Sequence, residues 1–177
     1  MQGTMAIVPK HRADCHPPLH RMVTKMKYSY TYDSPVGLIY IAESDGAITD
    51  VMFRPIEGTT EQETPLISRA IEMLREYFAG TRREFDLPLN PAGTEFQKSA
   101  WKAILTITHG QTKTYKQQAE AIGNPKACRA VGAANGKNPI NIFIPCHRVI
   151  GANKTLTGYG GGLEVKKFLL ELEGHYD

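Results

Sequence analysis

The stretch Asn138–Gly151, NPINIFIPCHRVIG, decides how the rest of the chain is interpreted. Its apolar run ends at Pro145, and proline prevents the simple continuation of a paired strand, so the backbone must turn there. Cys146 follows directly, and we expect a cysteine at such a turn to be presented rather than packed. The adjacent His147 can act as a base because an unperturbed histidine titrates near neutrality. The segment predicts a reactive thiol, and the alternative is a buried, inert cysteine beside a surface histidine.

The chain as a whole has the composition of an ordinary globular protein. It has 177 residues, of which 41% are hydrophobic and 22% charged, enough for one domain or two small ones. The net charge of +3 is compatible with an anionic partner without requiring one. No apolar run is long enough to span a membrane and no secretory pattern is present, so we expect a cytoplasmic protein with no membrane partner.

The cysteine count argues against a disulfide framework. The three cysteines, Cys15, Cys128 and Cys146, are odd in number and form no C-x-x-C pair. In a reducing compartment all three are free thiols. The leader, residues 1–26, is expected to be poorly ordered. Its His11, Cys15, His16 and His20 match no recognised zinc pattern, so we predict no metal site.

Residues 27–92 predict a small α/β domain. Alternating stretches at Tyr28–Tyr32, Leu38–Ala42 and Ile48–Phe53 indicate a three-stranded antiparallel sheet. Apolar residues at helical spacing predict a helix over Pro65–Ala79, ended by a glycine. A linker follows at Asn90–Gly93.

Residues 93–177 predict short helices. Thr94 and Thr114 are placed to cap two of them, the second running from Tyr115 to Ile122. A turn at residues 123–125 leads to a helix over Lys126–Ala134, which completes a helix-turn-helix. A last amphipathic helix is predicted from Leu163 to Leu172.

The second helix of this helix-turn-helix carries few long polar side chains. Ala127, Ala130 and Gly132 would let another surface approach closely, while Lys126 and Arg129 supply positive charge for phosphates. This favours recognition of DNA shape and backbone over base reading. The alternative is ordinary packing of the helix in a core.

A glycine-rich loop, Gly158–Gly162, runs into the last helix and contains Tyr159. It matches neither a Walker loop nor a dinucleotide fingerprint, so we predict no cofactor. Flexible glycines beside an aromatic ring suit a loop that admits a planar base.

Together these segments resemble the O6-alkylguanine-DNA alkyltransferases, the methylated-DNA–protein-cysteine methyltransferases. The resemblance spans about residues 28–174 and is carried by Ile144–Val149, by Arg129–Asn135, by Asn138-Pro139 and by Gly158-Tyr159. It implies an α+β fold: an N-terminal ribonuclease H-like, three-stranded antiparallel sheet with a helix, and a C-terminal, winged-helix-like domain with the helix-turn-helix.

The resemblance also implies residue roles. Cys146 would accept the alkyl group, His147 would relay its proton through a water to Glu173, and Asn138 would orient the turn. Tyr115 would assist protonation of the leaving guanine, and Arg129 would fill the gap left by a flipped nucleotide. Two further sets of residues are implied. The residues that would contact DNA are Thr114, Lys126, Ala127, Ala130 and Gly132. The residues that would line the pocket for the base are Val149, Tyr159 and Gly160.

The implied function is DNA repair by single, irreversible transfer of an alkyl group from O6-alkylguanine, with O4-alkylthymine left open as a second substrate. The implied partner is double-stranded DNA bound through its minor groove by a monomer. Three other functions compete with this one: a non-catalytic binder of alkylated DNA, a helix-turn-helix regulator, and a cysteine hydrolase.

Overall fold

The computed structural model describes residues 26–175. The expectations for the leader and for its cysteine and histidines lie outside the described residues. Within the described range, no helix is long and apolar enough to cross a membrane.

A four-stranded sheet forms the N-terminal part, in the order β3-β2-β1-β4. The strands β1 (Lys27–Ser34), β2 (Gly37–Ser44) and β3 (Ala47–Met52) form an antiparallel meander, which confirms the predicted sheet. The structure adds β4 (Thr60–Glu61), which pairs in parallel with β1. Two residues are too few to show the alternation from which strands are predicted.

The helix α1 (Pro65–Phe78) packs against this sheet. Its start is set by Thr64, whose hydroxyl accepts a hydrogen bond from the Ile67 amide, and by proline at the first helical position. The apolar face predicted from the spacing is buried against the strands. Its buried members are Ile67, Ala70, Ile71, Met73, Leu74 and Tyr77.

The C-terminal part contains the four predicted helices: α2 (Glu95–Ile104), α3 (Tyr115–Ala121), α4 (Cys128–Asn135) and α5 (Leu163–Leu172). Thr94 and Thr114 cap α2 and α3 as predicted, and in the structure each forms a capping box with the glutamine three residues later.

The second helix of the helix-turn-helix begins later than predicted. Lys126 and Ala127 lie before α4 because the preceding turn continues through them. The Ala127 amide still donates to the carbonyl of Asn124, at 2.9 Å. Lys126 therefore extends from the turn and not from the helix.

Two buried polar contacts fix α4 against its neighbours. The Trp101 indole of α2 donates to the carbonyl of Ala134, at 2.9 Å. The side-chain amides of Gln118 and Asn135 form a reciprocal pair, with N···O distances of 3.0 and 2.7 Å. These contacts satisfy the polar groups that the close packing of small residues buries.

The outer edge of β3 joins the two parts of the chain. The Val51 amide donates to the carbonyl of Pro139 at 2.7 Å, and the Asn141 amide donates to the carbonyl of Val51 at 2.9 Å. The segment that leads to Cys146 is therefore paired with the N-terminal sheet. Beyond Cys146, the short strand β6 (Val149–Ile150) pairs in parallel with β5 (Lys113–Thr114).

Candidate active site

Cys146 opens a short 3-10 turn, Cys146–Arg148, directly after Pro145. The residue is only 5% exposed, so the expectation that the thiol is presented rather than packed is wrong. Proline does end the strand-like run, but the turn that follows packs between α2 and α5 and covers the sulfur. Burial raises the pKa of the Cys146 thiol, so the resting side chain is protonated.

Asn138 holds both the turn and the sulfur. Its Nδ2 donates to the carbonyl of Ile144 at 2.8 Å and to Sγ of Cys146 at 3.2 Å. Its Oδ1 accepts the amide of Ile140 at 3.0 Å. The hydrogen bond to sulfur opposes the effect of burial and lowers the pKa of Cys146. The structure thus places Asn138 where its predicted orienting role requires.

His147 contacts Glu173 directly, with 3.0 Å between Nε2 and Oε1. The expected water between these two residues is therefore wrong, because a contact of hydrogen-bond length leaves no room for one. A carboxylate partner makes Nε2 the protonated nitrogen and leaves Nδ1 as the acceptor. Nδ1 is buried and has no hydrogen-bond partner among the described residues. Burial lowers the pKa of His147 against the opposing effect of Glu173, so the ring rests neutral.

Glu173 is the centre of a buried polar cluster. Arg148 reaches it with two nitrogens, Nε to Oε2 and Nη2 to Oε1, both at 2.8 Å. The Tyr77 hydroxyl of α1 donates to Oε1 at 2.7 Å, and the Gly110 amide to Oε2 at 3.3 Å. Burial alone would raise the pKa of Glu173, but the hydrogen bonds from His147 and Arg148 and the charge of Arg148 hold this pKa well below its usual range.

Asn141 is a pocket residue that the sequence analysis does not predict. Its Nδ2 donates to the carbonyl of Val51 at 2.9 Å, which turns its Oδ1 toward Sγ of Cys146, 3.9 Å away. The next residue, Ile142, has a φ of +70°, a strained conformation for a β-branched side chain. The pairing of this segment with β3 stabilises the strained conformation.

The predicted base-pocket residues lie around the same segment. Val149 is buried directly after the 3-10 turn. The Tyr159 ring packs edge-on to His147, with centroids 6.3 Å apart, and its hydroxyl is buried. Gly160 lies against Asn141, where an added Cβ would come within 3.3 Å of Oδ1. At Gly161 an added Cβ would meet the Phe53 ring at 2.8 Å, so the loop closes on β3 only without a side chain there.

The helix-turn-helix and the glycine-rich loop border an open groove of about 420 Å³. Tyr115 and Gly132 meet in its wall, where an added Cβ at Gly132 would lie 3.6 Å from the ring. Arg129 lines the groove and is exposed, and Lys126 and Ala130 are also exposed. Ala127 is half-buried, and the Thr114 hydroxyl serves as the cap of α3.

Four site residues escaped prediction: Tyr77, Asn141, Arg148 and Lys166. The helical spacing predicts only an apolar position for Tyr77, and Arg148 lies in the motif around Cys146 without a predicted role of its own. Lys166 had a detectable signal, since it shares a helix face with Leu169 and Leu170, where a lysine is out of place. The only sequence signal for Asn141 is that it is a polar residue within an apolar run.

Within residues 26–175, no group of three or more histidine, cysteine or acidic side chains is placed to hold a metal ion. The chemistry available at this site is that of a protein thiol, a neutral imidazole and a buried carboxylate. With a helix-turn-helix beside it, this arrangement of thiol, imidazole and carboxylate is typical of the class of DNA-binding proteins that carry a functional cysteine.

Comparison with known proteins agrees with this class. A family model described as 6-O-methylguanine DNA methyltransferase, ribonuclease-like domain, matches residues 26–91. A second, described as the DNA-binding domain of the same methyltransferase, matches residues 95–175. A methylated-DNA–protein-cysteine methyltransferase of Methanosarcina acetivorans is 48% identical over 83% of this chain and 98% of its own length. The constitutive enzyme of Bacillus subtilis is 44% identical over 84% and 96%.

Solved structures give the same result. The crystal structure of the Mycobacterium tuberculosis O6-methylguanine methyltransferase matches with a TM-score of 0.77 and 46% identity, over 86% of this chain and 95% of that one. The mycobacterial protein in complex with DNA matches with a TM-score of 0.77 and 47% identity, over 84% and 94%. The chain belongs to the O6-alkylguanine-DNA alkyltransferase family, the methylated-DNA–protein-cysteine methyltransferases.

Proposed function

We propose that this methyltransferase repairs DNA by moving the alkyl group of O6-alkylguanine to Sγ of Cys146, once and irreversibly. The family supplies the activity, direct repair of DNA by transfer to a cysteine of the protein itself. The observation that assigns it to Cys146 is the arrangement around this thiol. Asn138 donates to its sulfur, and the neighbouring His147 is fixed by a buried carboxylate.

Activation of the thiol follows from the hydrogen bonds. Because Nε2 of His147 is occupied by Glu173, Nδ1 is the ring nitrogen left to accept the proton of Cys146. Nδ1 makes no hydrogen bond to Sγ among the described residues, so this proton would pass through a bridging water. Glu173 stabilises the resulting imidazolium, and Asn138 stabilises the thiolate. The thiolate is a soft nucleophile suited to an sp3 carbon.

The transfer forms the C–S bond and breaks the bond between the alkyl carbon and O6. Guanine leaves more easily when it is protonated, and we assign this assistance to Tyr115, which lines the groove. The net reaction moves one alkyl group to sulfur and one proton from sulfur to guanine. The thioether has no carbonyl that water can attack, so the protein acts once. Val149, Tyr159 and Gly160 are proposed to surround the base.

Access to O6 requires the nucleotide to leave the stack, at a cost of a few kcal/mol. We propose that the groove between α4 and the glycine-rich loop admits the base, while exposed Arg129 fills the gap in the duplex. The small residues of α4, Ala130 and Gly132 among them, suit close approach to a minor groove. Lys126, Ala127 and Thr114 would contact the backbone.

The chain binds DNA, as its family's DNA-binding domain indicates. We propose in addition that it binds as a monomer in the cytoplasm, and that its two folding units divide at residues 92–93, after a leader of residues 1–26.

Transfer of label from DNA tests the function. A duplex containing O6-methylguanine with a radioactive methyl group is incubated with protein, and label on protein is counted. We expect one label per protein molecule, no release with time, and none for Cys146→Ser. Cys128→Ser, which removes the other described thiol, is the matched control and should label like the wild type. Repeated turnover, or full labelling of Cys146→Ser, would show that the proposal is wrong.

Arg129→Ala tests nucleotide flipping. The exposed Arg129 contacts no reacting group, so its removal should slow repair of duplex DNA by at least about tenfold and leave reaction with the free base O6-benzylguanine nearly unchanged. Rates on both substrates are compared with those of Lys98→Ala, an exposed cation on α2 outside the groove. Equal losses on duplex and free base would contradict the flipping role.

A further inference from the structure

Lys166 is a buried cation that the mechanism above leaves unused. Its side chain, on α5, is fully buried among apolar residues. Its Nζ donates to the carbonyl of Val149 at 2.7 Å and to the carbonyl of Thr157 at 2.9 Å. Within residues 26–175, no carboxylate forms an ion pair with it. By contrast, the buried cation Arg148 has Glu173 as its partner.

An ammonium buried against carbonyls alone is costly, since two dipoles replace only part of its hydration. Burial lowers the pKa of Lys166 to about 8, and the group whose charge opposes this effect is Cys146. The ammonium in turn lowers the pKa of the Cys146 thiol. The Val149 carbonyl that holds Nζ lies three residues after Cys146, so the thiolate is the anion of this site that the ammonium can stabilise.

The position of the ammonium is rigidly fixed. Val149 follows the 3-10 turn of Cys146, and Thr157 belongs to the loop that borders the groove. The Thr157 hydroxyl also donates to the hydroxyl of Tyr115, at 3.0 Å. Two carbonyls on separate segments thus hold Nζ in place, while the third N–H of the ammonium has no acceptor in the described part of the chain.

We propose that Lys166 is a positioning residue of the transfer reaction, whose fixed, buried ammonium stabilises the thiolate of Cys146. The proposal rests on the proposed function in one respect, that Cys146 is the acceptor. When His147 takes the thiol proton, the negative charge forms in the electrostatic field of a cation that is already in place and needs no reorganisation. When the neutral thioether forms, that charge is consumed.

The other groups that face the thiol complete the electrostatic description. Asn138 donates to the sulfur, His147 takes its proton, and the Tyr159 phenol lies close enough to interact with its charge. Glu173 and Arg148 act on the thiol through His147 and compensate each other in a bidentate pair. Lys166 is the cation in this set without a carboxylate partner among the described residues.

The test is the pH dependence of Cys146 alkylation by iodoacetamide, followed by mass spectrometry of the peptide that contains it. Lys166→Gln removes the charge and retains donors for the two carbonyls, and Lys166→Met removes both. We expect each to raise the midpoint of the pH profile by about one unit, to slow the reaction at pH 7 on the order of tenfold, and to recover at high pH. Repair of an O6-methylguanine duplex should show the same loss.

Two control variants separate charge from structure. Lys166→Arg keeps the charge and should retain the wild-type midpoint. Lys167→Met removes the next lysine of α5, which is exposed and pairs with Glu171, and should change nothing. A rate lowered equally at every pH with an unmoved midpoint would overturn the proposal and leave Lys166 as a structural support. A shifted midpoint in a protein that accepts no label from DNA would support stabilisation of the Cys146 thiolate by Lys166 and refute the proposed function.

Discussion

Glu173→Ala is expected to lower the free energy of unfolding by about 3–5 kcal/mol, the range for removing one partner of a buried charge pair. The variant leaves the guanidinium of Arg148 buried with only the carbonyl of Ile107 as a partner. It also leaves the hydroxyl of Tyr77 and Nε2 of His147 without their shared acceptor. Each of these groups loses a hydrogen bond that water cannot replace at 0–5% exposure.

Repair activity should fall together with stability. Without Glu173, neither the tautomer of His147 nor the imidazolium that forms during thiol activation is stabilised, and we expect a loss of about a hundredfold or more. Urea unfolding and single-turnover repair rates measure the two effects. Glu171→Ala, at the end of α5, is the matched control: Glu171 is half exposed and, in the part of the chain that the structure describes, forms an ion pair only with Lys167, so we expect a change below about 1 kcal/mol.

The loss of folding stability at acid pH provides an independent test of the cluster around Glu173. The folded-state pKa values of Glu173 and His147 both lie below their ordinary values, so the unfolded chain binds more protons than the folded one. Their contributions are complete above about pH 6.5 and are lost as the pH falls, first at His147 and then below about pH 4 at Glu173. Glu173→Ala should flatten the lower part of this decline. If Glu173→Ala leaves the decline in stability at acid pH unchanged and lowers the free energy of unfolding by less than about 1 kcal/mol, the central role of Glu173 is contradicted.

The helices and strands that depend on local sequence patterns could be predicted. Thr94 and Thr114 fixed two helix starts because a capping box is a contact within four residues. The meander was predictable because its strands run for six to eight residues with alternating side chains and are joined by tight turns. The strand β4 and the pairing of Val51 with Asn141 depend on contacts between distant segments, which periodicity cannot reveal.

The motif predicted which residues form the site, but it did not predict their burial or the distant residues that contact them. The sequence placed a base beside Cys146, yet burial of that cysteine depends on α2 and α5, which pack over the turn. The contact of Tyr77 with Glu173 joins residues 96 positions apart. Tyr77 therefore makes the N-terminal sheet and helix part of the chemistry, which no reading of the C-terminal motif could predict.

Asn138→Ala should separate the orientation of the thiol from the stability of the fold. It removes the donor to Sγ of Cys146 and to the carbonyl of Ile144, and the acceptor of the Ile140 amide. The buried amide of Ile140 is left unpaired, at about 1–3 kcal/mol, while the carbonyl of Ile144 keeps the amide of Cys146 as a donor. Loss of the hydrogen bond to sulfur also removes an effect that lowers the pKa of Cys146. We therefore expect slower alkylation at neutral pH, by about tenfold or more, with partial recovery as the pH rises.

Asn135→Ala is the control for this experiment, because it removes a buried asparagine whose side chain, within residues 26–175, hydrogen-bonds only to the side-chain amide of Gln118. Its cost in stability should be similar, since the Gln118 amide loses its partner. Its pH profile of Cys146 alkylation should match that of the wild type. If the two variants lose stability alike and only Asn138→Ala shifts the profile, Asn138 acts on the thiol. If the profile of Asn138→Ala is unshifted, the 3.2 Å contact with sulfur is structural and activation of Cys146 depends on His147 and Lys166 alone.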